Sequence, residues 1–142
     1  MLQAMNTGHE GSLTTIHANT PRDALGRLET MVAMAQLNLP EKAVRQQIAS
    51  AINVIVQTER LRGGGRKIVG VAEVFGLKEG EIGLNELFAF RQVSVTPDGR
   101  AVGYHTATGT LSTFQDHFKA NGTDLPESMF EPSTQPPQDK LY

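Results

Sequence analysis

The sequence has no cysteine and no tryptophan among its 142 residues. The missing cysteine excludes disulfides and thiolate metal ligands. Aromatic residues make up only 6%, which argues against stacking platforms for single-stranded nucleic acid. The net charge of −2 gives no overall attraction to nucleic acid either. No apolar run approaches the ~18 residues of a membrane span, and residues 1–6 show no basic stretch leading into an apolar one. We therefore expect a cytoplasmic protein that does not bind nucleic acid.

Two helices are predicted in the first third of the chain. Thr20 is a suitable N-cap, Pro21 suits the first helical position, and Asp23 can reach back to the cap. A second helix is expected to begin at Pro40. Apolar residues recur at helical spacing in both and predict two buried stripes. These are Leu25, Leu28, Met31, Val32 and Ala35 in the first helix, and Ala43, Val44, Ile48, Ala51 and Ile52 in the second.

The rest of the chain has the patterns of a sheet. The expected elements are strands at 54–59 and 67–75 around a glycine-rich reversal, a turn region at 76–83, a strand or short helix at 82–91, a hairpin at 93–104 with a Pro-Asp-Gly turn, and a short helix at 113–121. This order predicts the α/β class, with a helix-rich front and a β-rich rear part. We expect one domain over residues 1–125 and a disordered, proline-rich tail over residues 126–142.

The most informative segment spans residues 8–19 and runs Gly-His-Glu-Gly-Ser-Leu-Thr-Thr-Ile-His-Ala-Asn. Residues 1–7 before it are predicted to end a helix, and residues 12–17 to form a short strand. Two imidazoles flank a run of hydroxyls, and packing alone gives no reason for such a run. Because histidine can donate to a phosphate or bind a metal, the segment is predicted to be one wall of a phosphate or metal site.

A metal site is the weaker of these two interpretations. The pair His9-Glu10 does not begin an H-E-x-x-H motif, because Leu13 stands where the second histidine should fall. A third ligand would have to come from far along the chain, and His105 and His117 have no supporting spacing. We therefore expect no metal, and keep a hydrolase that uses a metal on His9 and His17 as an alternative.

A basic cluster surrounds three glycines at Arg60, Arg62, Arg66 and Lys67. It is not a phosphate-binding P-loop, because Ile68 follows Lys67 where a serine or threonine is needed, and the G-x-x-x-x-G-K frame is missing. The cluster could bind phosphate, RNA or an acidic partner. A solvated hairpin tip is the favoured interpretation.

The segment from residue 8 to residue 19 resembles the histidine box of the ATPases that drive type II and type IV secretion and type IV pilus assembly. The continuation over residues 20–31, together with Leu39-Pro40, residues 45–48 and residues 59–66, resembles the Tad-pilus, CpaF-like branch. The resemblance covers roughly residues 1–125. It implies the C-terminal portion of a RecA-like P-loop NTPase domain, whose sheet is parallel and covered by helices on both faces.

The resemblance also implies roles for individual residues. His17 is implied to be the histidine that approaches the γ-phosphate of ATP and senses its presence. His9 and Glu10 are implied to lie at the periphery of the nucleotide site, and Thr14 and Thr15 on the segment that leads to His17. An imidazole suits this task because it can donate a charge-assisted hydrogen bond to phosphate oxygens.

The sequence departs from the family because it holds no Walker A loop and no acidic box with a catalytic glutamate. Phosphoryl transfer depends on those parts, so we expect this chain alone to be inactive, and ATP and Mg²⁺ to bind only in a full-length parent. We expect the chain to be a fragment of a motor that works as a homo-hexamer beneath an inner-membrane platform protein. The remaining alternative is a non-catalytic module that binds other subunits.

Overall fold

The computed structural model describes residues 11–36 and 38–133. The helices and strands predicted from residue 20 onward are present, with bounds that differ by a few residues. In chain order they are helices α1 (Pro21–Ala35) and α2 (Glu41–Ala51), strands β1 (Val54–Arg60), β2 (Arg66–Lys78), β3 (Glu81–Val95) and β4 (Ala101–Ala107), helix α3 (Gln115–Ala120), and a single 3-10 turn (Glu127–Phe130).

The four strands form one antiparallel sheet in the order β1-β2-β3-β4. Each strand pairs with its neighbour in sequence, as expected for strands joined by short hairpins. This sheet confirms the α/β class and the β-rich rear part. It differs from the parallel sheet that the resemblance implies, because short hairpin connections can only join antiparallel strands.

The chain divides into two compact units, and the division falls within β1, β2 and β3. Unit 1 comprises Met1–Ile55 and Val74–Leu84, and unit 2 comprises Val56–Glu73 and Asn85–Tyr142. Unit 1 contains α1 and α2, whereas unit 2 contains β4, α3 and the 3-10 turn.

Unit 1 is built on the two helices that the sequence predicts. The Thr20 hydroxyl accepts a hydrogen bond from the backbone N–H of Asp23 at 3.0 Å, and Pro21 occupies the start of α1. Arg45 of α2 bonds both the Glu29 carboxylate of α1, at 3.1 Å, and the Glu41 carboxylate, at 2.7 Å. The core consists of eight buried side chains, namely Leu25, Leu28, Val44, Ile48, Ala51, Ile52, Val74 and Ile82.

The central residues of both predicted apolar stripes are buried, as expected, but residues at the edges of the stripes are exposed. Met31 is 59% exposed, and Ala35 and Ala43 are exposed as well. Val44, Ile48 and Ala51 of α2 are buried, and so is Ile52 just after its end, so Ala43 is the one member of the predicted stripe that is exposed. A short helix packed on one side buries only its central row.

Unit 2 is organised by the β3–β4 hairpin, whose turn at Pro97 to Gly99 is the predicted one. The hairpin tolerates no side chain at Gly103, because a Cβ there would lie 2.1 Å from the backbone oxygen of Arg91. A register shift between Gln92 and Ser94 marks a bulge in β3.

The first part of the predicted tail, residues 126–133, makes contacts with unit 2. Phe130 is only 3% exposed, and its ring stacks on Phe88 with centroids 5.8 Å apart. The backbone N–H of Ser133 donates to the Thr106 hydroxyl at 2.7 Å. Residues up to 133 are therefore attached to unit 2. Residues 134–142 lie outside the described residues, and their disorder stays a prediction.

Two further predictions need comment. The strand predicted for residues 12–17 is wrong, because these residues have no regular secondary structure. Their β-branched side chains suit a strand, but a strand requires a neighbour to pair with, and the sheet consists of β1–β4. The turn predicted for residues 76–83 is shorter in the structure and consists of Glu79 and Gly80, because β2 continues to Lys78. The helix end predicted for residues 1–7 lies outside the described residues.

Candidate functional site

The segment from Gly11 to Asn19 runs without regular structure to the N-cap of α1. Leu13 is 98% exposed, and His17 is exposed too. Only Ile16 packs against the core of unit 1. The segment is thus attached at Ile16 and at the helix cap, and between these points it presents the His17 imidazole to solvent.

An open groove of about 540 Å³ lies beside this segment, within unit 1. Ile16 and Asn19 form one side of the groove, and Arg22, Arg27 and Met31 of α1 form part of the other. We call this the α1 groove. Two guanidinium groups and one carboxylate, that of Asp23, line the groove. Positive charge is therefore in excess next to the first turn of a helix, whose free N–H groups also attract anions.

Arg22 is held in place by a backbone acceptor. Its Nη1 donates to the backbone oxygen of Ile82 at 2.5 Å. This bond fixes the guanidinium at the start of β3 and limits how far it can move toward a ligand. Arg27 lies one and a half turns further along α1 and is exposed.

The predicted site residues fall into two groups. Thr14, Thr15 and His17 are all exposed and lie on the same segment, as the sequence places them. His9 and Glu10 lie outside the described residues, so their predicted positions at the periphery of the site are untested. Within residues 11–36 and 38–133, no three His, Cys, Asp or Glu side chains are grouped so as to hold a metal ion.

The sequence did not point to a second polar centre, which lies in unit 2 at Glu73. This glutamate of β2 is 0% exposed. Its Oε1 accepts from Asn85 Nδ2 at 2.9 Å, and its Oε2 accepts from the Ser112 hydroxyl at 2.7 Å. The backbone N–H of Thr113 also donates to the carboxylate, at 2.9 Å to Oε1 and 3.2 Å to Oε2. The only signal in the sequence is one acidic residue within the apolar run from Ile68 to Phe75.

These hydrogen bonds determine the charge of Glu73. Burial raises the pKa of a carboxyl, but here the donors from Asn85, Ser112 and Thr113 outweigh burial, and the pKa of Glu73 lies below its ordinary value of 4.5. The carboxylate is therefore ionised at neutral pH and fully enclosed by donors of this chain. Such an arrangement stabilises unit 2 and leaves no lone pair directed at a ligand.

Residues 1–69, which include the histidine segment, the α1 groove and α2, match the family described as Type II/IV secretion system protein. This part of the chain is similar to type II/IV secretion system proteins. The matched part ends just after β2 begins, so the Glu73 centre and the rest of unit 2 lie beyond it.

The same part of the chain is similar to curated proteins of conjugal transfer and type IV secretion. Conjugal transfer protein TrbB of Rhizobium radiobacter is 41% identical over 78 residues, which are 55% of this chain and 23% of TrbB. Type IV secretion system protein PtlH of Bordetella pertussis is 37% identical over 75 residues, which are 49% of this chain and 22% of PtlH. The chain thus spans about a fifth of the length of the curated relatives it matches.

None of the helices formed by the described residues combines the length and the apolar character needed to cross a bilayer.

Proposed function

We propose that this chain is the C-terminal part of a RecA-like ATPase motor for type II/IV secretion, in the Tad-pilus, CpaF-like branch. In this proposal the motor is a cytoplasmic homo-hexamer that works against an inner-membrane platform protein. The similarity of residues 1–69 to the secretion-system family supports the motor class. The assignment to the Tad-pilus, CpaF-like branch rests only on the resemblance of residues 20–31, 39–40, 45–48 and 59–66.

The observation that carries the proposal is the presentation of His17. The segment holding it has no strand to pair with and is attached at Ile16 and Thr20, so the imidazole reaches solvent beside the α1 groove. An exposed imidazole on the segment that borders this groove suits a terminal phosphate, to which it can donate a charge-assisted hydrogen bond. The sequence has no Walker A loop, so other segments must bind the rest of ATP and its Mg²⁺.

The proposal assigns a role to each residue of the histidine segment. His17 senses the γ-phosphate, and Thr14 and Thr15, with His9 and Glu10, line the periphery of the nucleotide site. Hydrolysis removes the phosphate and with it the hydrogen bond to His17. Because this segment leads directly into the N-cap of α1, loss of that bond changes what holds the start of the helix. Movement of α1 would then carry the nucleotide state to neighbouring subunits.

The test is an ATPase assay on the native protein that carries this sequence. We expect His17→Ala to lower turnover at least ten-fold, with the affinity for ATP changed by less than three-fold. The matched control is His117→Ala, because His117 is also exposed and lies on α3 of unit 2. Equal turnover in the His17 variant and the wild type would remove His17 from the role. A native protein without ATPase activity would overturn the motor itself.

A second function is favoured by one observation. Met31 is 59% exposed and Met34 is 74% exposed on the same face of α1, and flexible, polarisable methionines suit protein contacts. A non-catalytic module that binds other subunits through this face is the alternative. It predicts self-association without ATP turnover, and Met31→Ser with Met34→Ser would abolish that association.

A further inference from the structure

Two loops of unit 2 lie together and bring separate basic residues to one end of the sheet. The backbone N–H of Ala101 donates to the backbone oxygen of Arg62 at 3.0 Å. A Cβ built on Gly63 would lie 2.8 Å from the Cα of Arg100. The β1–β2 loop therefore touches the β3–β4 loop, although 37 residues separate Gly63 from Arg100.

The contact concentrates positive charge in an otherwise acidic chain. Residues 59–67 and 91–100 hold six of the thirteen basic side chains and only two of the fifteen acidic ones. We call their basic residues the basic tip, which consists of Arg60, Arg62, Arg66, Lys67, Arg91 and Arg100. Lys67 Nζ lies 5.8 Å from the centroid of the Phe90 ring, which places the tip's end of β2 next to Arg91.

Three of the six basic residues are unpaired within the part of the chain that the structure describes. The guanidinium groups of Arg62, Arg66 and Arg91 are exposed and make no hydrogen bond or ion pair with any residue that the structure describes. Arg100 is the exception, since its Nε donates to Asp98 Oδ2 at 3.0 Å, but this pair is itself largely exposed. Glu59 is the other acidic residue of the two segments, and it is exposed too.

Apolar residues adjoin the same end of the sheet. Val93 is 47% exposed and Val95 is 44% exposed, and Val95 pairs with Ala101, the neighbour of Arg100. Basic side chains beside exposed aliphatic ones, on projecting loops, are typical of protein surfaces that rest on anionic lipid. Binding of single-stranded nucleic acid is less suited, because neither loop holds an aromatic residue on which a base could stack.

We propose that the basic tip binds the anionic headgroups of a membrane surface, with Val93 and Val95 reaching the interface. This goes beyond the proposed function, in which the motor meets the membrane only through a protein partner. The net charge of −2 means that the chain as a whole is not drawn to an anionic bilayer. Any such binding must come from a local concentration of positive charge.

The test is vesicle flotation of the full chain, without nucleotide, so that its result does not depend on the motor. Flotation is chosen because aggregated protein sinks and cannot be counted as bound. We expect binding to vesicles that contain phosphatidylglycerol and none to pure phosphatidylcholine. We expect the binding to weaken strongly between 0.1 M and 1 M salt, where the screening length falls from about 10 Å to about 3 Å.

The decisive variant carries Arg62→Glu and Arg100→Glu. Each basic residue near an anionic surface contributes about five-fold to binding, so we expect at least a 25-fold loss. The matched control carries Lys42→Glu and Lys119→Glu, which alters net charge equally at exposed positions of α2 and α3. Circular dichroism verifies that both variants fold. The control should retain binding within about three-fold.

Three results would overturn the proposal. The first is binding that does not distinguish the two kinds of vesicle. The second is an equal loss in both variants, which would make net charge the cause rather than the tip. The third is tighter binding to a 20-base-pair DNA duplex than to anionic vesicles at the same salt, which would assign the basic tip to nucleic acid.

Discussion

Units 1 and 2 each contain a cluster of polar side chains. The cluster in unit 1 is exposed to solvent, whereas the cluster in unit 2 is centred on a buried carboxylate. In unit 1, Thr14, Thr15 and His17 are exposed on a segment without regular structure. In unit 2, Glu73 is fully buried and receives hydrogen bonds from Asn85, Ser112 and Thr113. A group exposed to solvent can exchange water for a ligand at little cost. A buried carboxylate enclosed by donors of its own chain serves the fold.

The largest expected effect is the loss of the Glu73 carboxylate. Glu73→Leu would leave the buried hydroxyl of Ser112 and the part-buried donors of Asn85 and Thr113 without their acceptor. A fully buried donor without a partner costs about 1–3 kcal/mol, and a part-buried one costs less. We expect the free energy of unfolding, measured by urea titration, to fall by about 3 kcal/mol. Glu86→Leu makes the same change at an exposed position of β3 and should alter stability by less than about 0.5 kcal/mol. Equal effects would show that Glu73 does not hold unit 2 together.

Protonation of Glu73 should produce a related but smaller effect. The pKa of Glu73 lies below its ordinary value of 4.5, so the folded state prefers the carboxylate. Its contribution to stability is fully present above the unfolded pKa and is lost as pH falls through the folded pKa. The difference in unfolding free energy between the wild type and Glu73→Gln should be constant from pH 7 down to about 5 and shrink below 4.5. A difference that grows on acidification would contradict the lowered pKa.

The contrast between the two regions also explains what could be predicted from the sequence. The start of α1 follows from Thr20, Pro21 and Asp23, which lie within four residues. The β3–β4 turn follows from Pro97 to Gly99. Such signals are local, and the structure confirms them. The strand predicted for residues 12–17 is not formed, because β-branched side chains favour a strand only where another strand is available for pairing.

The sequence shows the basic cluster at residues 60–67, but the polar centre at Glu73 and the addition of Arg91 and Arg100 to that cluster were beyond sequence reasoning for one physical reason. Ser112 lies 39 residues from Glu73, and Arg100 lies 37 residues from Gly63. No periodic pattern encodes contacts at such separations. The histidine segment, in contrast, is contiguous, so its residues could be named from the sequence. Its exposure is a property of the structure, and the role of His17 remains a proposal.

The smallest expected effect is on the stability of unit 1. His17 is exposed, and the segment is held by Ile16 and by the Thr20 cap rather than by its imidazole. We therefore expect His17→Ala to change the free energy of unfolding by less than about 0.5 kcal/mol, as measured by urea titration of this chain. A residue kept for a ligand should be dispensable for folding. If His17→Ala instead destabilised the chain as strongly as Glu73→Leu, the imidazole would have a structural role, and the two regions would no longer differ in kind.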